Sequence, residues 1–125
     1  MKATLSNYRQ SPRKVRLITE LIKGKGLVEA LTALKFNDKR AAAPIEKLLR
    51  SAIANAEQGG ENPNELVVEN IAVDKGRVAK TFMPRAFGRA STIRKRSSHV
   101  TVTLGKAKPK TSRHTKVTPK APESA

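Results

Sequence analysis

Two runs of β-branched residues enclose a long polar interval, and the other segments are arranged around them. The first run holds Val67, Val68, Ile71 and Val73; in the second, Val100, Val102 and Leu104 alternate with Thr101 and Thr103. Such runs predict strands, and the alternation gives the second one apolar face. Between them, residues 74–99 offer only Val78, Phe82, Met83, Phe87 and Ile93 as larger apolar groups. Folding this interval back on itself puts its midpoint near Ala86 and Phe87, within Met83-Pro84-Arg85-Ala86-Phe87-Gly88-Arg89-Ala90. Pro84 has no N–H for a ladder and Gly88 accepts positive φ, so the expected element is one very long β-hairpin with its tip at 83–90. At roughly 3.3 Å per residue, that tip stands about 40 Å from the core.

Upstream, the spacing becomes helical. Residues 2–9 read as an edge strand. Ser11 suits a helix N-cap and Pro12 the first helical position. Val15, Ile18, Leu21 and Ile22 then form an apolar stripe, with Leu17 beside it. Lys23-Gly24-Lys25-Gly26 reads as a plain helix stop. A second, short helix is predicted over 27–35, with Leu27, Leu31 and Leu34 on one side. A third is predicted over 38–58, capped by Asn37-Asp38, with Ile45, Leu48, Leu49, Ala52, Ile53 and Ala56 on one face. Pro44 lies inside this pattern and either kinks the helix or marks its true first turn. Gly59-Gly60 ends it, and a turn over 61–64 leads into the hairpin. The expected domain spans 1–104, and 105–125, rich in Lys, Thr, Ser and Pro, reads as a disordered basic tail.

Charge changes this picture from a fold to a partner. The chain has 125 residues and a formal net charge of +16. Residues 1–26 hold seven Lys and Arg against one acid, residues 27–74 five against eight, and residues 75–120 fourteen against none. The middle is an ordinary globular composition flanked by two cationic segments. An isolated two-stranded ribbon is marginal in water, and this one repels itself. A polyanion that takes its cations phosphate by phosphate would hold it out. Arg9, Arg13, Lys14 and Arg16 crowd the start of the first helix, where cations oppose the helix dipole, which again points to an external anion.

Other chemistry is sparse. There is no Cys, and His99 and His114 have no acid beside them, so no metal site or cofactor is expected. The sequence has no phosphate-cradling glycine loop and no nucleophile elbow, so an enzyme is not expected. No apolar run approaches the ~20 residues of a membrane span, and no apolar leader is visible. One Tyr and three Phe are too few for a base-stacking platform. No helix carries base-reading side chains suited to a major groove, so RNA fits better than DNA as the polyanion.

Three segments carry a resemblance. Ser11-Pro12-Arg13-Lys14-Val15-Arg16-Leu17, Ser51-Ala52-Ile53-Ala54-Asn55-Ala56-Glu57 and Pro84-Arg85-Ala86-Phe87-Gly88-Arg89-Ala90, the last followed by Ile93-Arg94-Lys95-Arg96-Ser97-Ser98-His99-Val100, resemble the bacterial large-subunit ribosomal protein L-twenty-two family. The match in order and spacing runs over about 4–104. It implies an α+β fold, with three helices on a small three-stranded antiparallel sheet and a long protruding hairpin. It also implies a structural role: binding several domains of 23S-type rRNA, assisting early subunit assembly, and lining the nascent-peptide exit tunnel with the hairpin. By position, the rRNA-binding set is Arg9, Ser11, Arg13, Lys14, Arg16, Lys75, Arg77, Lys80, Arg94, Lys95, Arg96 and His99. The tunnel-lining tip is Met83, Pro84, Arg85, Ala86, Phe87, Gly88, Arg89 and Ala90. Partners implied are the rRNA, neighbouring large-subunit proteins and the nascent chain, with no membrane, in a cytoplasmic or plastid-type ribosome. Phe87 and Pro44 depart from the usual family pattern.

Overall fold

The strictly alternating segment becomes the middle of the sheet. In the computed structural model, which describes residues 1–106, strand β3 (Ala90–Lys106) lies between β1 (Lys2–Tyr8) and β2 (Leu66–Pro84), antiparallel to both. Residues 107–125, most of the expected tail, lie outside the described residues. Helices α1 (Pro12–Ile22), α2 (Leu27–Lys35) and α3 (Ala42–Gln58) fill the sequence between β1 and β2. The fold is α+β, with three helices, a three-stranded sheet and one long hairpin.

Val100, Val102 and Leu104 are buried, and their neighbours Ala3 on β1 and Leu66, Val68, Ile71 and Val73 on β2 join them. An extra residue, Glu69, interrupts the β2–β3 register between Val68 and Asn70. Such a bulge resets the alternation, so Val68 and Ile71 are buried although three positions apart. Against these strands pack Val15, Ile18 and Ile22 of α1, Leu27, Ala30 and Leu34 of α2, and Ile45, Leu48, Leu49, Ala52 and Ala56 of α3.

Several helix expectations need correction. Leu21 is exposed, and Thr19 takes the buried place, with its hydroxyl donating to the Arg16 carbonyl at 3.0 Å. The buried stripe is 15, 18, 19 and 22, and Leu21 falls roughly a third of a turn off it. Leu31 is only half-buried. Ser11 is the N-cap of α1, but only its backbone carbonyl accepts bonds, from Lys14 and Val15; its hydroxyl makes no cap bond. The third helix begins at Ala42, not near Asp38. Asn37 instead turns the chain, its Oδ1 accepting the Lys39 N–H at 3.0 Å. Pro44 therefore sits in the first turn, where no intrahelical donor is lost.

The Lys23–Gly26 stop does more than end α1. Gly24 N–H donates to the Val68 carbonyl at 2.8 Å, and Val68 N–H donates to the Lys25 carbonyl at 3.0 Å. This turn covers part of the outer edge of β2, which would otherwise present open donors and acceptors.

Beyond Val73 and Val100 the two strands run on together to Pro84 and Ala90. About eleven residues at roughly 3.3 Å each put the tip some 35 Å past the core. Arg85 N–H donates to the Arg89 carbonyl at 2.8 Å to close the tip, and both Phe87 (φ 56°) and Gly88 (φ 67°) are left-handed. The glycine was expected to supply that conformation; Phe87 sharing it was not.

The hairpin leaves the domain at a double irregularity. One bulge in β2 lies between Lys75 and Val78, and one in β1 lies between Leu5 and Tyr8, so Ser97, Ser98 and His99 of β3 sit between two bulged neighbours. Gly76 is required by close approach: a Cβ there would stand 2.6 Å from Ser97 Oγ and 3.1 Å from the Ser97 carbonyl carbon. Ser97 Oγ also donates to the Arg77 carbonyl at 2.6 Å, tying the bulge across the ribbon.

Two measurements test this description. Leu49→Ala is expected to cost 2–5 kcal/mol in denaturant unfolding, whereas Leu17→Ala, on the exposed side of α1, is expected to stay within about 0.5 kcal/mol. Gly76→Val is expected to open the hairpin root and speed amide exchange near residues 75–78 and 96–98, with the helical core still protected; unchanged exchange there would contradict the close packing at Gly76.

Candidate nucleic-acid interface

The root of the hairpin meets the start of α1, and this junction gathers most of the cations singled out in the sequence. Pro12 and the buried Val15, Ile18 and Ile22 turn one side of α1 to the core, leaving Arg13, Lys14 and Leu17 exposed on the other. Arg16 reaches across to β2, its guanidinium donating to the Val73 carbonyl at 2.9 Å. That bond fixes α1 against the strand where the hairpin leaves the core. Arg16 is thus a tie between elements as well as a surface charge.

Two grooves result. The first, of about 660 Å³, is lined by Arg9, Gln10, Ser11, Lys14, Arg40, Arg94, Lys95 and Arg96. The second, of about 690 Å³, is lined by Ser11, Pro12, Arg13, Lys14, Arg16, Leu17, Lys75 and Arg96. A smaller hollow on the ribbon brings Arg77 and Lys95 together with Asn7, Arg9 and Ser97. No carboxylate lines any of the three. Among the described residues the single ion pair is Arg50 with Glu46, at 2.6 Å along α3. The root cations therefore form no ion pair among the described residues, although each guanidinium and ammonium presents several donors.

Lys80 stands apart from these grooves, out on the arm and directly opposite Arg94 in the ladder. Like charges facing each other across two strands destabilise the pair. Lys95 and Arg96 face Ala79 and Val78 instead. His99 lies at the root rather than in a groove. It is half-buried, and its Nδ1 accepts the Asn7 N–H at 3.2 Å, which puts the ring proton on Nε2. Asn7 is left-handed at φ 54°, a conformation asparagine tolerates, and His99 thereby pins the β1 bulge to the central strand.

Sequence reading missed Arg40 and Gln10. Arg40 lies in the α2–α3 connection, remote in sequence from the cationic segments, and nothing in its neighbours marks it. The Tyr8 hydroxyl donates to the Arg40 carbonyl at a long 3.4 Å. Burial raises the Tyr8 hydroxyl above its usual range, partly countered by the Arg40 charge, so it remains a donor at neutral pH. Gln10 Oε1 is covered and without a donor, as is the hydroxyl of Ser98.

The tip contributes a different surface. Phe87 is 98% exposed and Phe82 70%. Arg85 Nε donates to Ser91 Oγ at 3.2 Å, so part of its charge is held against the arm. Among the described residues no cluster of three or more His, Cys, Asp and Glu is placed to hold a metal ion, and no helix is long and apolar enough to cross a membrane.

Comparison with known proteins finds relatives that match over most of the chain. The chain is 52% identical over 103 residues to the large ribosomal subunit protein uL22 of Geobacter sulfurreducens, an alignment covering 82% of this chain and 93% of that protein. It is 52% identical over 107 residues to the same-named protein of Citrifermentans bemidjiense, covering 85% and 96%, and 50% identical over 104 residues to that of Syntrophotalea carbinolica, covering 82% and 94%. The family described as ribosomal protein L22p/L17e matches residues 3–105, which takes in all the described elements except the first residue of β1 and the last of β3. The chain with its cationic hairpin root therefore belongs to the ribosomal protein L22p/L17e family.

Proposed function

We propose that this chain is a structural constituent of the large ribosomal subunit that binds the backbone of 23S-type rRNA through its hairpin root and arms. One observation carries the reading: no root or arm cation has a carboxylate partner among the described residues. A ribbon of this kind gains little from its own apolar groups and repels itself at Lys80 and Arg94. Phosphates supply the missing counter-charge, and the Lys and Arg side chains read backbone and shape rather than base edges.

The parts then divide by chemistry. Arg9, Ser11, Arg13, Lys14, Arg16, Lys75, Arg77, Arg94, Lys95 and Arg96 take phosphates from several rRNA domains at the root, Lys80 takes one farther out, and His99 holds the root in shape beside them. Joining several domains at one root would assist early subunit assembly. The tip, residues 83–90, presents Phe87 and Met83 to the exit tunnel and the nascent chain. The helical layer, with its mixed charge, faces neighbouring ribosomal proteins. No catalytic role is assigned to any residue.

Competition between folded large-subunit rRNA and duplex DNA of equal charge tests this reading; the rRNA is expected to win, and equal affinity would sink it. If about 8 phosphates are engaged, log affinity for the DNA competitor is expected to fall against log salt with a slope near −7. Deleting residues 83–85 is expected to leave rRNA affinity nearly unchanged, whereas complete loss would make the tip the main anchor and overturn the division between root and tip.

A further inference from the structure

The two outer edges of the sheet are finished differently. Gly24 and Lys25 bond to Val68 and cover part of the free side of β2. On β1 only one group is covered. Met1 and Leu104 exchange both main-chain bonds, at 2.8 and 3.0 Å. That role alternates along an antiparallel ladder, so Ala3 and Leu5 also turn their N–H and C=O groups to β3, and Lys2 and Thr4 turn theirs outward. The Lys2 carbonyl agrees with this direction, since it accepts the Asn55 side-chain amide of α3 at 3.3 Å. The outward N–H and C=O of Thr4 have no partner among the described residues. Beside Thr4, between β1 and α3, lies a groove of about 460 Å³. Pro44, Leu48 and Ser51 recur at helical spacing along its far wall, and Leu5 forms part of the near one. Lys47 is its one charged lining residue and forms no ion pair among the described residues. The root grooves, by contrast, carry several cations each. An apolar trough with a single ammonium does not suit a sugar–phosphate strand, which draws on serial cations.

Resting on the ribosomal reading above, we propose that β1 and α3 take up an extended segment of a neighbouring large-subunit protein, which adds a short strand beside Thr4, lowers an apolar side chain into the groove and sets a carboxylate against Lys47. An open sheet edge running beside a helix receives extended chains in this way: main-chain bonds fix the backbone, and the groove selects alternate side chains. The irregularity after Leu5 ends regular pairing, so the added strand is short and the buried apolar side chain supplies most of the hold. Charge selects among occupants. Residues 107–125 of this chain carry five Lys and Arg against one acid, the wrong sign for Lys47. Strand β1 of a second copy, Lys2–Tyr8, has no acid to offer it either. A carboxylate-bearing segment of another protein meets all three requirements: the open edge, the apolar groove and the lone cation.

The test places the photo-crosslinking residue p-benzoylphenylalanine at Ser51, which is exposed in the groove, and assembles the full chain into large ribosomal subunits. After irradiation, mass spectrometry is expected to find one crosslinked segment, in a neighbouring large-subunit protein, holding an apolar residue with a carboxylate beside it. Crosslinks to rRNA, to a second copy or to residues 107–125 would each overturn the proposal, as would no crosslink at all. A synthetic peptide of the crosslinked segment is then expected to bind the free chain and to slow amide exchange at Thr4. Lys47→Glu should weaken the peptide several-fold, and exchanging the peptide carboxylate for Lys should restore it. Ala43→Trp should fill the groove and abolish binding. Both substituted side chains are exposed, and circular dichroism and thermal unfolding check that each variant folds. Both variants should keep full affinity for rRNA, because neither touches the root. A peptide indifferent to both variants would sink the proposal. If the unsubstituted chain failed to enter large subunits, the ribosomal reading would fall first, and this inference with it.

Discussion

Like charges held at strand spacing set the terms for this molecule. Lys80 faces Arg94 across the ladder, and neither pairs with a carboxylate among the described residues. The arm offers no buried apolar side chain beyond Val73 and Val100 to offset that repulsion. Main-chain hydrogen bonds keep the ribbon paired, but such bonds contribute only modestly in water, where the open chain can bond solvent instead. The arm thus draws little stability from its own side chains; under the function proposed above, an anion repeated along a chain supplies the rest.

The helical domain has a contrasting logic. Its core is a single apolar layer between three helices and one sheet face, and Arg50–Glu46 is the only ion pair found among the described residues. Stability there comes from burial, which does not depend on a partner. What links the two regimes is the root. Two bulges, the close contact of Gly76 with Ser97, the Asn7–His99 bond and the Arg16–Val73 bond all fall within a few residues of each other. Irregular backbone concentrates where a packed sheet must hand over to a free ribbon and where the ribbon must be aimed. The same spot collects the cations, so the direction of the arm and the placement of charge are fixed together.

Much of this was readable in the chain itself. Alternation at Val100, Val102 and Leu104 announced the central strand's buried face, and Pro84 with Gly88 located the turn to within a residue or two. The second helix, 27–35, was marked at its start by Gly26 and along its length by the spacing of Leu27, Leu31 and Leu34. The misreadings have local causes. Leu21 looks like a stripe residue, but the stripe was set by Thr19, whose hydroxyl satisfies itself on the Arg16 carbonyl and so can be buried. Asn37 and Asp38 look like a cap, but Asn37 spends its side chain on the Lys39 N–H in a turn before α3 begins. Both cases turn on a polar side chain finding a partner only a few residues away, which hydrophobic spacing does not register.

Composition and periodicity determined the cationic hairpin, the apolar faces of the helices and the class of partner, because each depends on residues close together in sequence. The tertiary structure alone decided three other things. It brought Arg40 to the side of Arg94, set Arg16 on the Val73 carbonyl, and split the cations between two grooves that share Lys14 and Arg96. Those placements depend on where the α2–α3 connection and the start of α1 come to rest against the sheet. That resting position is a sum over the whole packed core, and no local run of residues encodes it.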